Sequence, residues 1–253
     1  MSQGKNTITF YQQGMIEIVE GEGKVSFPEH SHLSYMIGAV LSGSMHMKIG
    51  EQTYEMKEGM IYLIPSNTVM SMEYITPVVY LSICLKEEMA EIFNACRLKS
   101  NVMESGGERL KEICVDFKQN GEQELYVQRL MSLLQMEPCA ELGAYEYSDF
   151  VEKAIRYINE HAEEKWSIEE LAEQLHVSKF HFCRTFKKEV GVSPKQFQQQ
   201  TRLRYMKTRI LQEGSETRLA EDMKFAAQSH MCTLFKKYMG ISIREYKNSL
   251  TIK

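Results

Sequence analysis

His30 and His32 sit two positions apart in a strand-like stretch, and two imidazoles so placed could hold a first-row divalent metal with outside ligands. The same pair could instead hydrogen-bond locally or face a pocket. A second group suggests other chemistry. Arg184, Lys187 and Lys188 recur, with one change, as Thr233, Lys236 and Lys237. Cationic groups along one helix suit the phosphates and base edges of nucleic acid. The six cysteines (Cys84, Cys96, Cys114, Cys139, Cys183, Cys232) form no CxxC pair, so they read as reduced, mostly buried thiols.

The recurrence extends well beyond those cations. Leu171-Ala172-Glu173-Gln174-Leu175-His176-Val177 matches Leu219-Ala220-Glu221-Asp222-Met223-Lys224-Phe225, and Phe182 to Lys188 matches Met231 to Lys237. Gly191-Val192-Ser193 matches Gly240-Ile241-Ser242. Ala172 to Ala220 is 48 residues and Phe186 to Phe235 is 49, which puts a one-residue insertion at the turn. Each unit predicts a helix, a tight turn and a helix ending in basic residues, the layout of a helix-turn-helix. Capping signals place the helices. Ser167-x-x-Glu170 opens Ile168 to Gln174, Ser178 caps Lys179 to Glu189, and Ser193-Pro194-x-Gln196 opens a long helix to about Leu211. Ala227 or Gln228 starts the second recognition helix, and Ser242-x-x-Glu245 caps the last one. Trp166, Leu171, Val177, Phe182, Phe186 and Phe197 are expected in one core, with Leu219, Phe225, Met231, Phe235 and Tyr246 in another.

Paired units of this size resemble the DNA-binding domain of AraC/XylS-type transcription regulators. Position by position, the resemblance implies that Phe180, Cys183 and Arg184 face bases, with Lys179, Lys187 and Lys188 near phosphates. Gln228, Ser229, His230, Cys232 and Thr233 match in the second unit, with Lys236 and Lys237 on the backbone. A guanidinium can read guanine O6 and N7 with two bonds, which favours Arg184, and Gln228 could pair with adenine. Lys224 stands where glycine often makes the turn, at a cost on the order of 1 kcal/mol. Ile243 replaces the usual proline, so the second unit is expected to be the less specific one.

Charge divides the same way. Trp166 to Lys253 holds 16 Lys+Arg against 9 Asp+Glu, while the remaining residues carry a net −11, so only the rear meets a polyanion. The front, residues 7 to 85, alternates with strand period. Met45 to Met56 reads as a hairpin with Gly50-Glu51 at the bend, and Ile61 to Pro65 and Val78 to Ile83 read as strands. His30-x-His32-x3-Met36-x6-Gly43 and Gly59-x5-Pro65-x-Asn67-x2-Met70 follow the spacing of the two cupin motifs. That resemblance implies a metal site of three imidazoles and a carboxylate, but Met36 and Met70 occupy two of the four positions, so no metal and no cofactor is expected. If His30 and His32 point inward, Ser34 and Met36 do too. Met70, Met72 and Tyr74 share one phase, and Met45, Met47 and Ile49 another. Two readings stand: a methionine-filled core, or an adaptable pocket in which His30, His32, Met36, Met70 and Met72 hold an apolar or amphipathic effector.

From Lys86 the period becomes helical: Met89, Ile92, Phe93 and Cys96, then Leu110, Ile113, Cys114 and Phe117, then Leu125 to Met136. The AraC/XylS resemblance implies that one of these helices makes a homodimer contact; packing within the chain is the alternative. Glu137 to Ala144 lacks periodicity and is expected to be the linker. The fold class expected is α+β: a cupin-like β-barrel over 1–85, a helical dimerisation segment and linker over 86–145, and an all-α domain over 146–253. That last domain carries helix-turn-helix units at about 167–189 and 216–239. No leader, no apolar run long enough for a membrane span and a cytoplasmic location are expected. The expected function is sequence-specific binding of double-stranded DNA under control of a small-molecule effector. A cupin-type enzyme or ligand carrier with an appended helical domain is the alternative.

Overall fold

Between Thr7 and Leu85 the alternation of apolar and polar residues becomes a run of short strands, since each turns one face inward. The computed structural model describes residues 7–23, 26–96, 100–136, 147–164, 166–210 and 215–253. The strands are β1 (Thr7–Gln13), β2 (Ile16–Gly23), β3 (Phe27–Ser31), β4 (Tyr35–Ser42), β5 (Ser44–Ile49), β6 (Gln52–Lys57), β7 (Ile61–Ile64), β8 (Val69–Tyr74) and β9 (Val78–Leu85). After α1 (Glu87–Asn94) come β10 (Val102–Met103), α2 (Gly107–Asn120) and α3 (Gln123–Leu134). The helical domain follows as α4 (Asp149–Glu160), α5 (Ile168–Gln174), α6 (Lys179–Val190), α7 (Pro194–Arg209), α8 (Glu216–Asp222), α9 (Gln228–Met239) and α10 (Ile243–Ser249), ending in β11 (Leu250–Ile252). The expected linker, 137–144, lies outside the described residues, as does Cys139.

The strands form a seven-stranded sheet, β10-β7-β4-β9-β2-β1-β11, facing a four-stranded one, β3-β8-β5-β6. Two facing sheets replace the fully closed barrel that the cupin spacing implies. Between them lies the methionine core, Met36, Met45, Met47, Met56, Met60, Met70 and Met72, with Tyr62, Tyr74 and Tyr80. Glycine makes room for two of these tyrosines. A Cβ on Gly38 would lie 2.1 Å from the ring of Tyr62, its partner on β7, and one on Gly21 would lie 2.2 Å from Tyr80 on β9. The other face of the large sheet is covered by α1, α2 and α3, so β4 and β9 are buried on both sides. That explains why those strands read as near-continuous apolar runs rather than alternating ones.

Two sequence expectations need correction here. His30 to Met36 is not one strand: His30 lies in β3, Met36 in β4, and the chain bends between them. Met89 and Phe93 on α1 and Cys96 just beyond it are buried, but Ile92 is 47% exposed and lies off the packed stripe. Three elements went unnoticed in the sequence: the short strands β10 and β11, and α4, whose Val151, Ala154 and Ile158 pack on the first helix-turn-helix.

In the helical domain the local signals dominate. Ser167/Glu170, Ser193/Gln196 and Ser242/Glu245 form complete capping boxes, and Pro194 begins α7. The turn between α5 and α6 spans 175–178 and that between α8 and α9 spans 223–227, which locates the one-residue insertion. The costly left-handed residue is no peculiarity of the second unit: His176 has φ 56° and Lys224 φ 52°, at equivalent places.

Both units dock on the strands through the glycine that ends each recognition helix. A Cβ on Gly191 would meet Val69 at 2.5 Å, and one on Gly240 would meet Ile8 and Phe27 at 3.1 Å. Val69 joins the first helical core, and Ile8 and Phe10 join the second. β11 then pairs in parallel with β1, Phe10 opposite Leu250 and Gln12 opposite Ile252.

Candidate effector cavity and DNA-binding face

Where the mouth between the two sheets meets α7, α9 and α10 lies a cavity of about 530 Å³, within the size range of small-molecule sites. His30, His32, Met36, Met70 and Met72 all line it; the period-two argument holds for Met70 and Met72 on β8 but not for His30 to Met36, which share no single strand. Met45, Met47, Met56 and Met60 lie outside the lining, so the methionines divide between core and cavity wall. Ser34 lines it too. The helical domain supplies the opposite wall through Arg204, Lys207, Tyr238 and Tyr246. Nothing in the sequence pattern anticipated that wall.

The charged groups of the cavity come from elements far apart in the chain. Glu17 on β2 is only 3% exposed, and it accepts from Lys207 Nζ at 2.9 Å and from Lys86 Nζ at 3.2 Å. Burial alone would raise its pKa, but Lys207 and then Lys86 outweigh it and bring it down to about 2. Among the described residues no carboxylate pairs with Arg204. Its guanidinium donates to Thr201 Oγ1 at 2.6 Å and Ser31 O at 3.4 Å and lies over the Phe197 ring, and burial lowers its pKa to about 10. Gln200 ties the same corner, accepting from the backbone N–H of Ser31 at 3.2 Å.

The two imidazoles meet edge to face, with ring centroids 4.7 Å apart. His30 Nδ1 donates to Pro28 O at 2.6 Å, which fixes its tautomer. Burial lowers both histidine pKa values, and for His32 the neighbouring His30, Arg204 and Lys207 lower it further. Both are neutral at physiological pH. Among the described lining residues, three cations therefore face one carboxylate, in a wall otherwise rich in methionine and aromatic groups.

The two recognition helices are α6 and α9. In α6, Phe182 and Phe186 are fully buried, leaving Phe180, Arg184, Lys187 and Lys188 exposed and Cys183 half-buried. Lys179 turns sideways into an ion pair with Glu169 on α5. Arg184 has no hydrogen bond or ion pair among the described residues. In α9, Gln228 is held by Thr217 at 2.8 Å and Thr233 Oγ1 donates back to Ser229 O at 2.8 Å. Cys232 is directed at Glu216, and the His230 ring meets Phe225 edge-on, 5.8 Å away. Lys236 and Lys237 border a groove whose far side is Ser71 and Glu73 of β8. Arg184 of the first unit is thus unengaged among the described residues, whereas Gln228, His230, Cys232 and Thr233 of the second are engaged. Arg184→Ala is expected to cost about 1–3 kcal/mol of DNA affinity and relax preference at one base pair. Thr233→Ala should cost clearly less, and equal losses in a binding titration would contradict this asymmetry.

Known families match both parts of the chain. A helix-turn-helix domain family matches residues 171–249, and the AraC-like ligand binding domain family matches 16–137. The chain belongs to the AraC/XylS family. As a member it is a DNA-binding transcription regulator with a ligand-binding domain. No curated protein sequence is recognisably similar to it. Among solved structures, ToxT from Vibrio cholerae O395 is similar in fold at 15% identity, covering 98% of each chain with a TM-score of 0.60. ToxT of strain SCE256 with an unsaturated fatty acid bound is similar at 15% identity over 98% of each chain, TM-score 0.57. ToxT bound to (E)-4-(8-methylnaphthalen-1-yl)but-3-enoic acid is similar at 13% identity over 96% of this chain and 98% of that one, TM-score 0.57.

Within this AraC/XylS-family frame, sequence reading found the recognition helices by their caps and duplication. It missed Glu17, Lys86, Arg204 and Lys207 at the cavity. A glutamate in a strand and cations in an amphipathic helix look like solvated positions until the two domains are docked.

Proposed function

We propose that this regulator responds to an amphipathic anion with an apolar body, held in the cavity between the strands and the helical domain. The carrying observation is the excess of half-buried cations over carboxylates, Arg204 above all, in a wall of methionine and aromatic side chains. A carboxylate beside Arg204 and Lys207 would gain charge-assisted hydrogen bonds, while Met36, Met70 and Met72 adapt to an irregular chain. ToxT, similar in fold, is described with acids of this kind bound, which agrees with the reading.

The ligand would touch both domains, so it favours the docked arrangement by its differential affinity. In that arrangement β8 crowds the phosphate side of α9, where Glu73 borders the groove of Lys236 and Lys237. Docking therefore weakens the second unit on DNA, and the effector lowers DNA affinity, by roughly 5- to 150-fold on the usual scale of coupling. Arg184, Phe180 and Cys183 are assigned to base edges, Lys187, Lys188, Lys236 and Lys237 to phosphates. A homodimer through the helices after the strands, a cytoplasmic location and the absence of catalysis complete the reading. No helix among the described residues is long and apolar enough to cross a membrane, and none of their His, Cys, Asp and Glu groups together in threes for a metal.

The test is fluorescence anisotropy on duplex DNA with a long-chain unsaturated fatty acid, against the corresponding alcohol. The acid should release DNA and the alcohol should not. Met36→Trp should fill the cavity and abolish the response with the fold intact. Equal effects of acid and alcohol, or an unchanged response in Met36→Trp, would refute the effector site while leaving DNA binding untouched.

A further inference from the structure

Phe180 is 77% exposed, more than any other large apolar side chain described. It occupies the second position of α6 after the Ser178 cap, on the side opposite Phe182, Phe186 and Val190, so the fold gains nothing from a phenyl there. Its neighbours are occupied elsewhere: Lys179 pairs with Glu169, and the His181 ring packs 5.5 Å from Phe150. Phe180 stands out alone, one helical turn before Arg184 on the same stripe.

In the major groove the apolar feature that distinguishes one base edge from another is the thymine C5-methyl. We propose that Phe180 reads thymine, packing its ring on that methyl. The proposal rests on the assignment of α6 to the groove, and it names what the first unit selects there. Four residues of helix rise about 6 Å, against about 3.4 Å per base step, so this thymine lies one or two base pairs from the base contacted by Arg184. The second unit has no counterpart, because the equivalent residue is Ser229.

The experiment uses the full chain. A preferred duplex is selected from a random pool, and each thymine in it is then replaced in turn by deoxyuridine, which removes the methyl and keeps the pairing. One replacement should weaken wild-type binding about three- to tenfold, the scale of one lost methyl contact in a packed site. In Phe180→Ala that penalty should vanish, whereas in Arg184→Ala it should persist at the same position. Two outcomes would overturn the proposal: no uracil-sensitive position, or a penalty that survives in Phe180→Ala. A change in self-association of Phe180→Ala without DNA, seen by sedimentation, would assign the ring to a protein contact and overturn it too. Failure to select any sequence would instead strike at the groove assignment of α6, which separates the two failures.

Discussion

Glu17→Leu should lower the stability of the docked protein by about 3–5 kcal/mol, the usual consequence of leaving a buried charge without its partner. The charge stranded most deeply is Lys207, which donates to both oxygens of Glu17, at 2.9 and 3.3 Å, within the wall of the cavity, whereas Lys86, the other partner, is one-third exposed and can turn to water. In a chain of 253 residues the loss corresponds to a fall in Tm on the order of 10 °C. Replacing both partners, Glu17→Leu with Lys207→Met, should recover most of it, since an apolar pair of similar volume restores packing without a stranded charge. The pH dependence has a definite sign. The folded pKa of Glu17 is lowered from 4.5 to about 2, so its contribution is complete above about 4.5 and is lost as pH falls from there towards 2. A shift of that size is worth about 3 kcal/mol. Lys207 is shifted upwards, so its share persists through neutral pH and fades only at strongly alkaline pH. Thermal melts between pH 6 and 2 should show an acid limb that is much reduced in the double variant. Equal acid limbs would show that the pair does not couple the domains.

Neutralising Lys187, Lys188, Lys236 and Lys237 together should flatten the plot of log affinity against log salt by roughly three to four units. Each phosphate contact releases condensed counterions, worth about 0.9 in that slope. The four lysines are exposed at the ends of α6 and α9, so alanine there disturbs no core. The pairs should not behave alike. Lys187 and Lys188 face open solvent, whereas Lys236 and Lys237 share their groove with Glu73, so the effector should suppress the second pair's share and spare the first's. An unchanged slope in the quadruple variant would mean that the polyanion meets some other surface.

Elements specified by neighbours in the chain were legible in advance. Ser167 and Glu170 satisfy each other's backbone donors within four residues, so their capping box needs no knowledge of the fold. The same holds for Gly50-Glu51 in its hairpin and for the Phe182/Phe186 stripe. Elements specified by distant partners were not. Glu17 and Lys207 lie 190 positions apart, and each alone reads as a surface charge. The open alternatives for the methionines could not be settled from strand phase either, because Met36 and Met45 point into the same interior and only the helical domain's approach makes one of them a cavity wall. His30 to Met36 line one cavity for a reason other than the one expected: a bend, rather than a continuous strand, brings those side chains to the same mouth.

The larger sheet ends at both margins in very short strands, β10 with two residues and β11 with three. An exposed sheet margin is a row of unpaired donors and acceptors on which a second chain can build, and brevity is one way proteins guard against it. Here the guard on β1 is supplied by the DNA-binding domain, with Lys253 clamped to Gln12 O through its N–H and to Lys118 O through its ammonium. Undocking therefore has a colloidal consequence as well as a regulatory one. It bares the seven-residue margin of β1 together with Ile8 and Phe10, a template for strand addition between molecules. On the proposed scheme, in which the effector favours the docked form, the protein is most prone to clump while undocked, and partition onto DNA or return to the ligand-filled form would keep that state scarce.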